Sequence, residues 1–252
     1  MIKTTNISKQ YGDKIVVDNV TIEIPKGKIT SLIGSNGAGK STLLGTIARI
    51  INANHGEIII NEKNITDYKN RILAQELSIL KQMNHLDLKL TVKELVSFGR
   101  FPYSQGRLTE VDHLKIKEAI AFLNLTELEN NYLEELSGGQ QQRAFLAMVV
   151  AQDTDYILLD EPLNNLDMRH SVQIMKTLKD LSVTKNKTIV MVIHDINFAS
   201  YYSDYIAAMK QGKLIHFNTT KNIINPKILK EIYDIDFEII ESNNKLICNY
   251  YN

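Results

Sequence analysis

The sequence predicts an α/β protein with a phosphate-binding loop at its central sheet, an antiparallel β subdomain near the N-terminus and an inserted helical subdomain. Three observations support this prediction. The glycine-rich segment GSNGAGKST (34–42) stands between a strand-like KITSLI (28–33) and a helical pattern. Two continuous apolar runs, YILLD (156–160) and TIVMVI (188–193), are typical of parallel strands covered on both faces. Residues 84–155, between the loop and these runs, have the apolar spacing of helices.

The other elements are predicted from their apolar spacing. VTIEI (20–24) alternates apolar and polar residues, which indicates a half-buried antiparallel strand. KSTLLGTIARI (40–50) has helical spacing, and MKQGKLIHF (209–217) predicts a hairpin that turns at Gln211-Gly212. Further strands are predicted at HGEIII (55–60) and LSIL (77–80), and helices at TVKELVSF (91–98), VDHLKIKEAIAFLNL (111–125) and GGQQQRAFLAMVVAQ (138–152).

These elements predict one domain over residues 1–252. Its α/β core comprises residues 1–83 and 156–218, and the helical subdomain comprises residues 84–155. The C-terminal tail, residues 219–252, is less regular and carries short helical signals around NPKILKEIYDI.

Bulk composition excludes several functional classes. Lys+Arg and Asp+Glu both number 29, and this zero net charge argues against non-specific binding to nucleic acid or anionic lipid. The single cysteine, Cys248, excludes an internal disulfide framework and fits a reducing cytoplasm. No apolar run approaches the about 20 residues that cross a bilayer, and MIKTTNISKQ lacks the apolar core of a secretory signal. We therefore expect a soluble, cytoplasmic chain that reaches a membrane only through a partner.

The segment GSNGAGKS has the pattern G-x-x-x-x-G-K-[ST] of a phosphate-binding loop. Its glycines let backbone N–H groups point at phosphate oxygens, and the following helix presents its positive end to the same anion. In this pattern Lys40 reaches the β- and γ-phosphates, and the Ser41 hydroxyl ligates Mg²⁺. The predicted nucleotide-binding residues of the loop are Gly34, Ser35, Asn36, Gly37, Ala38, Gly39, Lys40, Ser41 and Thr42.

Two acids stand at the end of the apolar run YILLD. Asp160 ends the predicted strand, where ligands of α/β sheets collect, and it can hold Mg²⁺ directly or through water. Glu161 follows, so its side chain projects differently and can orient a water for attack on the γ-phosphate. The loop and the two acids together predict a nucleoside triphosphatase.

A second serine–glycine–glycine turn, in LSGGQQQR (136–143), also precedes a helix. Ser137 can cap that helix, and the exposed N–H groups form a second anion site. One nucleotide does not need both sites from one molecule, and the helical insertion holds the second well away from the first. The sequence therefore predicts a head-to-tail pair in which each copy closes its turn over the triphosphate held by the other. The residues assigned to this contact are Ser137, Gly138, Gly139 and Gln140.

The octapeptide LSGGQQQR closely resembles the signature motif of the ATP-binding subunits of ABC transporters, and the resemblance covers nearly the whole chain. It implies a P-loop NTPase fold of the ABC ATPase type, a homodimer, and hydrolysis of ATP with Mg²⁺. By this resemblance Tyr11 stacks on adenine, and Gln82 contacts Mg²⁺ and the attacking water and couples the site to the membrane subunit. Asp167 lies in the loop that crosses the dimer interface, and His194 contacts the γ-phosphate.

The resemblance also assigns the catalytic roles. Glu161 is the general base, His194 holds the phosphate and the water in line, and Gln82 and Lys40 complete the catalytic set. The metal site comprises Ser41, Gln82 and Asp160. Where many family members read DEPTSALD, this chain reads DEPLNNLD, which leaves open the contacts of Asn164 and Asn165.

The cargo is indicated by segments outside the hydrolytic motifs. TVKELVSFGRFPYSQGRLTEVD (91–112), and within it FGRFPY, is similar to ATPases that import ferric siderophores, haem and cobalamin. HDINFASYYSDYIAAMKQGKL (194–214) and KEIYDIDFEII (230–240) agree with that group. The resemblance implies the ATPase of a bacterial iron–siderophore importer at the inner face of the plasma membrane. Its partners would be membrane-spanning permease subunits and an extracytoplasmic substrate-binding protein.

Other functions within the superfamily stay open as alternatives. The chain would serve an importer of haem, cobalamin or another metal chelate, or it would be a soluble assembly ATPase, whose signature usually departs from LSGGQ. A DNA-maintenance ATPase would carry long heptad-patterned arms, and a translation-associated member would show two cassettes in tandem. The sequence shows neither feature.

Overall fold

The computed structural model describes residues 1–81, 89–164 and 166–251, and the strands of these ranges form three sheets. The strands are β1 (Ile2–Tyr11), β2 (Lys14–Ile24), β3 (Ile29–Ile33), β4 (His55–Ile60), β5 (Lys63–Asn64), β6 (Leu77–Leu80), β7 (Tyr156–Asp160), β8 (Thr188–Val192), β9 (Tyr205–Lys210), β10 (Lys213–Thr219), β11 (Glu238–Ser242) and β12 (Lys245–Asn249). The α-helices are α1 (Lys40–Ile47), α2 (Asn70–Glu76), α3 (Val92–Phe98), α4 (Phe101–Ser104), α5 (Glu110–Phe122), α6 (Gly138–Ala151), α7 (Met168–Lys185), α8 (Ile196–Tyr202), α9 (Thr220–Ile223) and α10 (Pro226–Tyr233).

The central sheet has the order β10-β9-β3-β8-β7-β6. Strands β9, β3, β8, β7 and β6 run parallel, and β10 pairs antiparallel with β9. All residues of β3 and β8 are buried, which explains why these strands are continuously apolar or small. Because β3, β8 and β7 are neighbours, the loops that follow them meet at one edge of the sheet. This arrangement confirms the predicted α/β core.

A second, antiparallel sheet of order β2-β1-β4-β5 lies at the N-terminal part of the chain. It confirms the antiparallel prediction made for VTIEI, which is the end of β2. Strand β1 was not predicted, because Ile2 and Ile7 are five residues apart and would lie on opposite faces of a regular strand. Both are fully buried, since the pairing register shifts between Thr4 and Ile7, where Asn6 has φ +52°.

The inserted helical subdomain contains α3, α5 and α6, as the apolar spacing predicted, and the short α4, which was not predicted. Their shared core includes Val96, Ile120 and Leu146, which are at most 1% exposed. The helix predicted over residues 40–50 ends earlier, at Ile47, because Arg49 adopts a left-handed conformation and turns the chain.

The C-terminal tail is more regular than the sequence predicted. The hairpin that precedes the tail, predicted at residues 209–217, is confirmed as β9 and β10, with its turn at Gln211 and Gly212. Beyond it, α10 is followed by a second hairpin, β11–β12, which turns at Asn243 and Asn244, both with positive φ. Across residues 1–81, 89–164 and 166–251, every helix is too short or too polar to span a bilayer.

Candidate active site

The phosphate-binding loop joins β3 to α1 through two close backbone approaches. A Cβ at Gly34 (φ +138°) would lie 2.0 Å from the carbonyl oxygen of Met209. A Cβ at Gly39 (φ +95°) would lie 2.3 Å from the carbonyl oxygen of Val16. Both positions therefore require glycine, as the motif predicted. The loop borders a cleft of about 480 Å³. Its lining residues are Val16, Asn36, Gly37, Ala38, Gly39, Lys40, Ser41, Thr42, Glu161, Asn164 and His194.

Lys40, the first residue of α1, is folded back over this loop. Its side chain is buried, and Nζ donates hydrogen bonds to the carbonyl oxygens of Gly34, at 2.8 Å, and Ser35, at 2.9 Å. Burial lowers the pKa of Lys40, and the carboxylates of Glu161 and Asp160 oppose that change. The ammonium group is therefore held inside the loop, beside the space where a triphosphate would bind.

Asp160 and Ser41 form the candidate metal site. The Ser41 hydroxyl donates to Oδ1 of Asp160 at 2.7 Å, so two oxygen ligands from different elements are in direct contact. Burial raises the pKa of Asp160, the bond from Ser41 opposes this, and neighbouring Glu161 raises it further. A poorly compensated carboxylate beside a hydroxyl is a donor set that suits Mg²⁺, which prefers oxygen ligands. The residues present therefore fit the ion.

Asp160→Asn is expected to raise the thermal unfolding midpoint of the ligand-free protein at pH 7 by about 2–4 °C. A carboxyl group whose pKa is raised in the folded state contributes its full stabilisation of the fold only below its unfolded pKa of about 3.9. That stabilisation is lost as the pH rises through the folded-state pKa, so it is absent at pH 7. Asn removes the charge but keeps an oxygen that accepts from Ser41. Calorimetry would check the midpoint, with the exposed Asp13→Asn as control. An unchanged or lower midpoint would contradict the assignment.

Glu161, the residue after Asp160, has a left-handed backbone conformation, with φ +52°. Such a conformation is unfavourable for a residue with a side chain and is found where the surrounding structure holds it. The Oε1 atom of Glu161 lies 2.6 Å from Nε2 of His194, which stands two residues after the end of β8. The Nδ2 atom of Asn164 donates to Oε2 of Glu161 at 3.3 Å. The predicted base and the predicted phosphate-contacting histidine are thus brought together.

The second glycine turn has the predicted helix cap. Ser137 precedes α6, its Oγ accepts from the N–H of Gln140 at 3.3 Å, and its own N–H donates to Oε1 of Gln140 at 2.8 Å. Ser137 and Gly138 are exposed, and among the described residues neither belongs to the lining of the phosphate cleft. The exposed start of the second glycine turn therefore does not line the phosphate cleft of its own chain.

Gly139 and Asp167 are both tied to His170, a residue that the sequence did not single out for any role. A Cβ at Gly139 would lie 2.6 Å from the His170 ring, so the close approach of α6 and α7 requires glycine here. Asp167 caps α7 by accepting from the N–H of His170, and its other oxygen lies 2.8 Å from Nδ1 of that residue. These hydrogen bonds lower the pKa of Asp167.

The remaining predicted residues are not part of this cluster. Tyr11, at the end of β1, is half exposed, and the Lys9 ammonium lies 5.1 Å from its ring centre. Within the described ranges it is not among the residues that line the cleft. Gln82 and Asn165 lie outside the described residues, so the predicted role of Gln82 stays a prediction and the contacts of Asn165 stay open.

Comparison with known proteins agrees with this geometry. Residues 17–164 match the ABC transporter family. The whole chain is 54% identical over 252 residues to the petrobactin import ATP-binding protein YclP of Bacillus subtilis, covering 100% of both sequences. The chain belongs to the ABC transporter family. It is also 41% identical over 255 residues to the iron(3+)-hydroxamate import ATP-binding protein FhuC of Bacillus subtilis, covering 100% of this chain and 95% of that protein.

A solved structure places the fold in the same family. The dimeric structure of MJ0796, a bacterial ABC transporter cassette, is 31% identical, with a TM-score of 0.77 over 87% of this chain and 99% of that one. The predicted ABC ATPase fold and the predicted identity as an ATP-binding, ATP-hydrolysing subunit are therefore confirmed. Family membership implies a dimer and membrane-spanning partners.

Proposed function

We propose that this ABC protein is the ATP-hydrolysing subunit of a bacterial importer of ferric siderophores, working as a head-to-tail dimer on the inner face of the plasma membrane. One observation carries the proposal. The phosphate loop, Glu161 and His194 line one cleft, and Asp160 is bound to Ser41 of that loop. The Ser137 turn of the same chain is exposed and, among the described residues, lies outside the lining of that cleft. A complete site then needs the turn of a second copy.

The described residues support defined roles in ATP hydrolysis. Backbone N–H groups of the loop and the Lys40 ammonium hold the triphosphate, and Tyr11 stacks on the adenine. Ser41 and Asp160, with Gln82 as the sequence predicts, would hold Mg²⁺, which would supply positive charge to the triphosphate when bound. Glu161 accepts a proton from the attacking water, and His194, beside its carboxylate, donates a hydrogen bond to the γ-phosphate.

The second copy completes the site from the opposite side. The exposed N–H groups at the start of α6, with the Ser137 hydroxyl, are directed at the γ-phosphate held by the first copy. Asp167, at the start of α7, stands in the loop that reaches the opposite subunit. Closure of the dimer then buries two nucleotides, and hydrolysis reopens it.

The permease subunits would dock where α2 of the core meets α3 and α4 of the helical subdomain. Ile72 on α2, Phe98 on α3 and Phe101 at the start of α4 expose 43%, 52% and 60% of their surfaces. Arg71 and Gln75 both donate to the carbonyl oxygen of Pro102 at 2.9 Å, which fixes α2 against α4. A firm surface with exposed aromatic side chains suits a helix of a membrane subunit. An extracytoplasmic substrate-binding protein would deliver the cargo.

The cargo is inferred from the relatives. YclP is named for petrobactin import and FhuC for iron(3+)-hydroxamate import, and both match this chain over its full length. These names support the siderophore prediction over a haem or cobalamin importer. They also favour transport over a soluble assembly ATPase.

Uptake of radioactive iron by cells that lack this protein would test the proposal. Wild-type chain is expected to restore uptake of a ferric siderophore, while Lys40→Ala and Ser137→Arg each leave it near background. Co-expression of these two variants is expected to restore part of the iron uptake. Half of randomly paired dimers contain both variants, and each of these has one intact site out of two, so up to about a quarter of the wild-type number of sites is restored.

The exposed Lys221→Ala serves as the control and is expected to transport normally. If cells that lack this protein lose only the uptake of haem or cobalamin, the result would favour those cargoes. No recovery of ATP hydrolysis in the purified mixture of the two variants would count against the shared site. Normal iron uptake without the chain would refute the importer assignment.

A further inference from the structure

The candidate catalytic histidine is attached to the start of α8. His194 is followed by Asp195, whose side chain caps the helix by accepting from the N–H groups of Asn197, at 2.8 Å, and Phe198, at 3.2 Å. The cap leaves little freedom between His194 and the first helical turn. The position of α8 therefore sets the position of the imidazole opposite Glu161.

Helix α8 is held in turn by the C-terminal hairpin. Asn197 makes two hydrogen bonds to the backbone of Cys248 on β12: the Cys248 N–H donates to Oδ1 at 2.7 Å, and Nδ2 donates to the carbonyl oxygen at 3.2 Å. The Ser200 hydroxyl donates to the carbonyl oxygen of Leu246 at 2.6 Å. The amide of Asn197 thus binds β12 as a neighbouring strand would, and it does so in the turn nearest to His194.

The hairpin has its own attachment to the core sheet. The ring of Phe237 lies 5.8 Å from that of Tyr233 on α10 and 5.5 Å from that of Tyr250 after β12. Lys210 on β9 binds the carboxylate of Asp234, at the end of α10, with distances of 2.7 and 2.8 Å. The C-terminal segment is therefore a fixed support on which α8 can be positioned.

The same segment also reaches the phosphate-binding loop. The Tyr233 hydroxyl is buried and, among the described residues, makes no hydrogen bond of good geometry. Burial raises its pKa, and the adjacent backbone of Gly34 opposes that change. The C-terminal segment thus contacts the start of the phosphate loop through Tyr233 and the helix behind His194 through β12.

We infer that Asn197 is a positioning residue for ATP hydrolysis: by binding the backbone of Cys248 it fixes α8, and with it His194, against Glu161. The inference rests on the proposed role of His194. It adds a function for the C-terminal hairpin, which contributes no side chain to the lining of the phosphate cleft in the described part of the chain. Small displacements of a catalytic group lower the rate of chemistry more than they lower substrate binding.

Steady-state ATP hydrolysis by Asn197→Ala would test the inference. The expected result is a fall in kcat of about tenfold with a KM for ATP within about twofold of wild type, because the phosphate loop is untouched. Asn197→Asp keeps the acceptor for the Cys248 N–H and loses the donor, so its kcat is expected to lie between those of Asn197→Ala and wild type. All variants are compared well below their unfolding midpoints.

Lys245→Ala is the matched control, because Lys245 lies on the same strand but binds the carbonyl oxygen of Tyr201, at the far end of α8 from His194. Its kcat is expected to equal that of wild type. Wild-type kcat in both Asn197 variants, or an equal fall in Lys245→Ala, would overturn the inference. If His194→Ala also hydrolyses ATP at the wild-type rate, the proposed role of His194 itself fails, which separates the two outcomes.

Discussion

Glu161→Gln is expected to lower kcat for ATP hydrolysis by about 10³-fold while ATP still binds. Glutamine has the shape of glutamate and can keep contacts with His194 and Asn164, but it cannot accept the proton of the attacking water. Binding is retained because Lys40 and the loop are unchanged, and one negative charge is removed beside the γ-phosphate. The variant should therefore accumulate as a dimer with MgATP, as measured by gel filtration and single-turnover hydrolysis.

Glu62→Gln provides a matched control for this variant. Glu62 is an exposed glutamate with φ +65° in the turn between β4 and β5, so the same substitution is made in a similar backbone conformation away from the cleft. Its kcat is expected to equal that of wild type. A Glu161→Gln protein that stays monomeric with MgATP, or that hydrolyses ATP at more than about a tenth of the wild-type rate, would contradict the assigned role of Glu161.

The part of the site carried by the parallel sheet could be predicted from the sequence. Continuous apolar runs identify β7 and β8, and the glycine pattern identifies the loop after β3. Because the carboxyl ends of adjacent parallel strands meet at one edge, these three patterns are enough to expect Ser41, Asp160 and His194 in one place. The structure brings them together, with Ser41 bound to Asp160.

The contacts that the sequence did not predict depend on side chains whose partners are distant along the chain. His170 is one of many polar residues on α7, and its sequence context gives it no special role. The close approach of Gly139 shows that it packs against the second glycine turn. Gln142 on α6 donates to the carbonyl oxygen of Pro162, next to Glu161, at 3.0 Å. This hydrogen bond links LSGGQQQR to DEPLNNLD, and neither sequence pattern predicts it. Asn197 likewise acquires a role only when β12 is placed beside α8.

The segment FGRFPY (98–103) shows a second limit on what can be predicted from a sequence pattern. The sequence relates this segment to the cargo class, and its Phe98 and Phe101 are exposed on the surface proposed to meet the permease subunits. Its arginine, however, lies inside the helical subdomain and is 5% exposed. A motif that resembles a functional class can therefore contain residues that stabilise the fold and residues that face a partner, and spacing alone does not separate them.

Arg100→Ala is expected to lower the free energy of unfolding by about 3–5 kcal/mol, because it leaves a buried carboxylate without its partner. Nε of Arg100 donates to Oδ1 of Asp112 at 2.8 Å, and NH1 donates to the carbonyl oxygen of Ala151, at the end of α6, at 2.8 Å. The guanidinium also lies over the Tyr103 ring, 4.0 Å from its centre. Arg100→Lys should recover part of the lost stability, since lysine keeps the positive charge but not the planar set of N–H donors of the guanidinium.

Urea unfolding of these variants as a function of pH would separate the ion pair from general packing. Burial disfavours ionisation of Asp112, yet hydrogen bonds from Thr109 and Arg100 hold its pKa below the usual value. An acid with a depressed folded-state pKa stabilises the fold above its unfolded pKa of about 3.9, and that stability is lost as the pH falls through the folded value. The difference in the free energy of unfolding between wild type and Arg100→Ala is therefore expected to be largest at pH 7 and to decrease below about pH 4.

The exposed Arg107→Ala serves as the control and should change the free energy of unfolding by no more than about 0.5 kcal/mol at either pH. A gap that does not vary with pH would show that Arg100 stabilises the helical subdomain by packing and by its bond to Ala151, and not through the charge of Asp112.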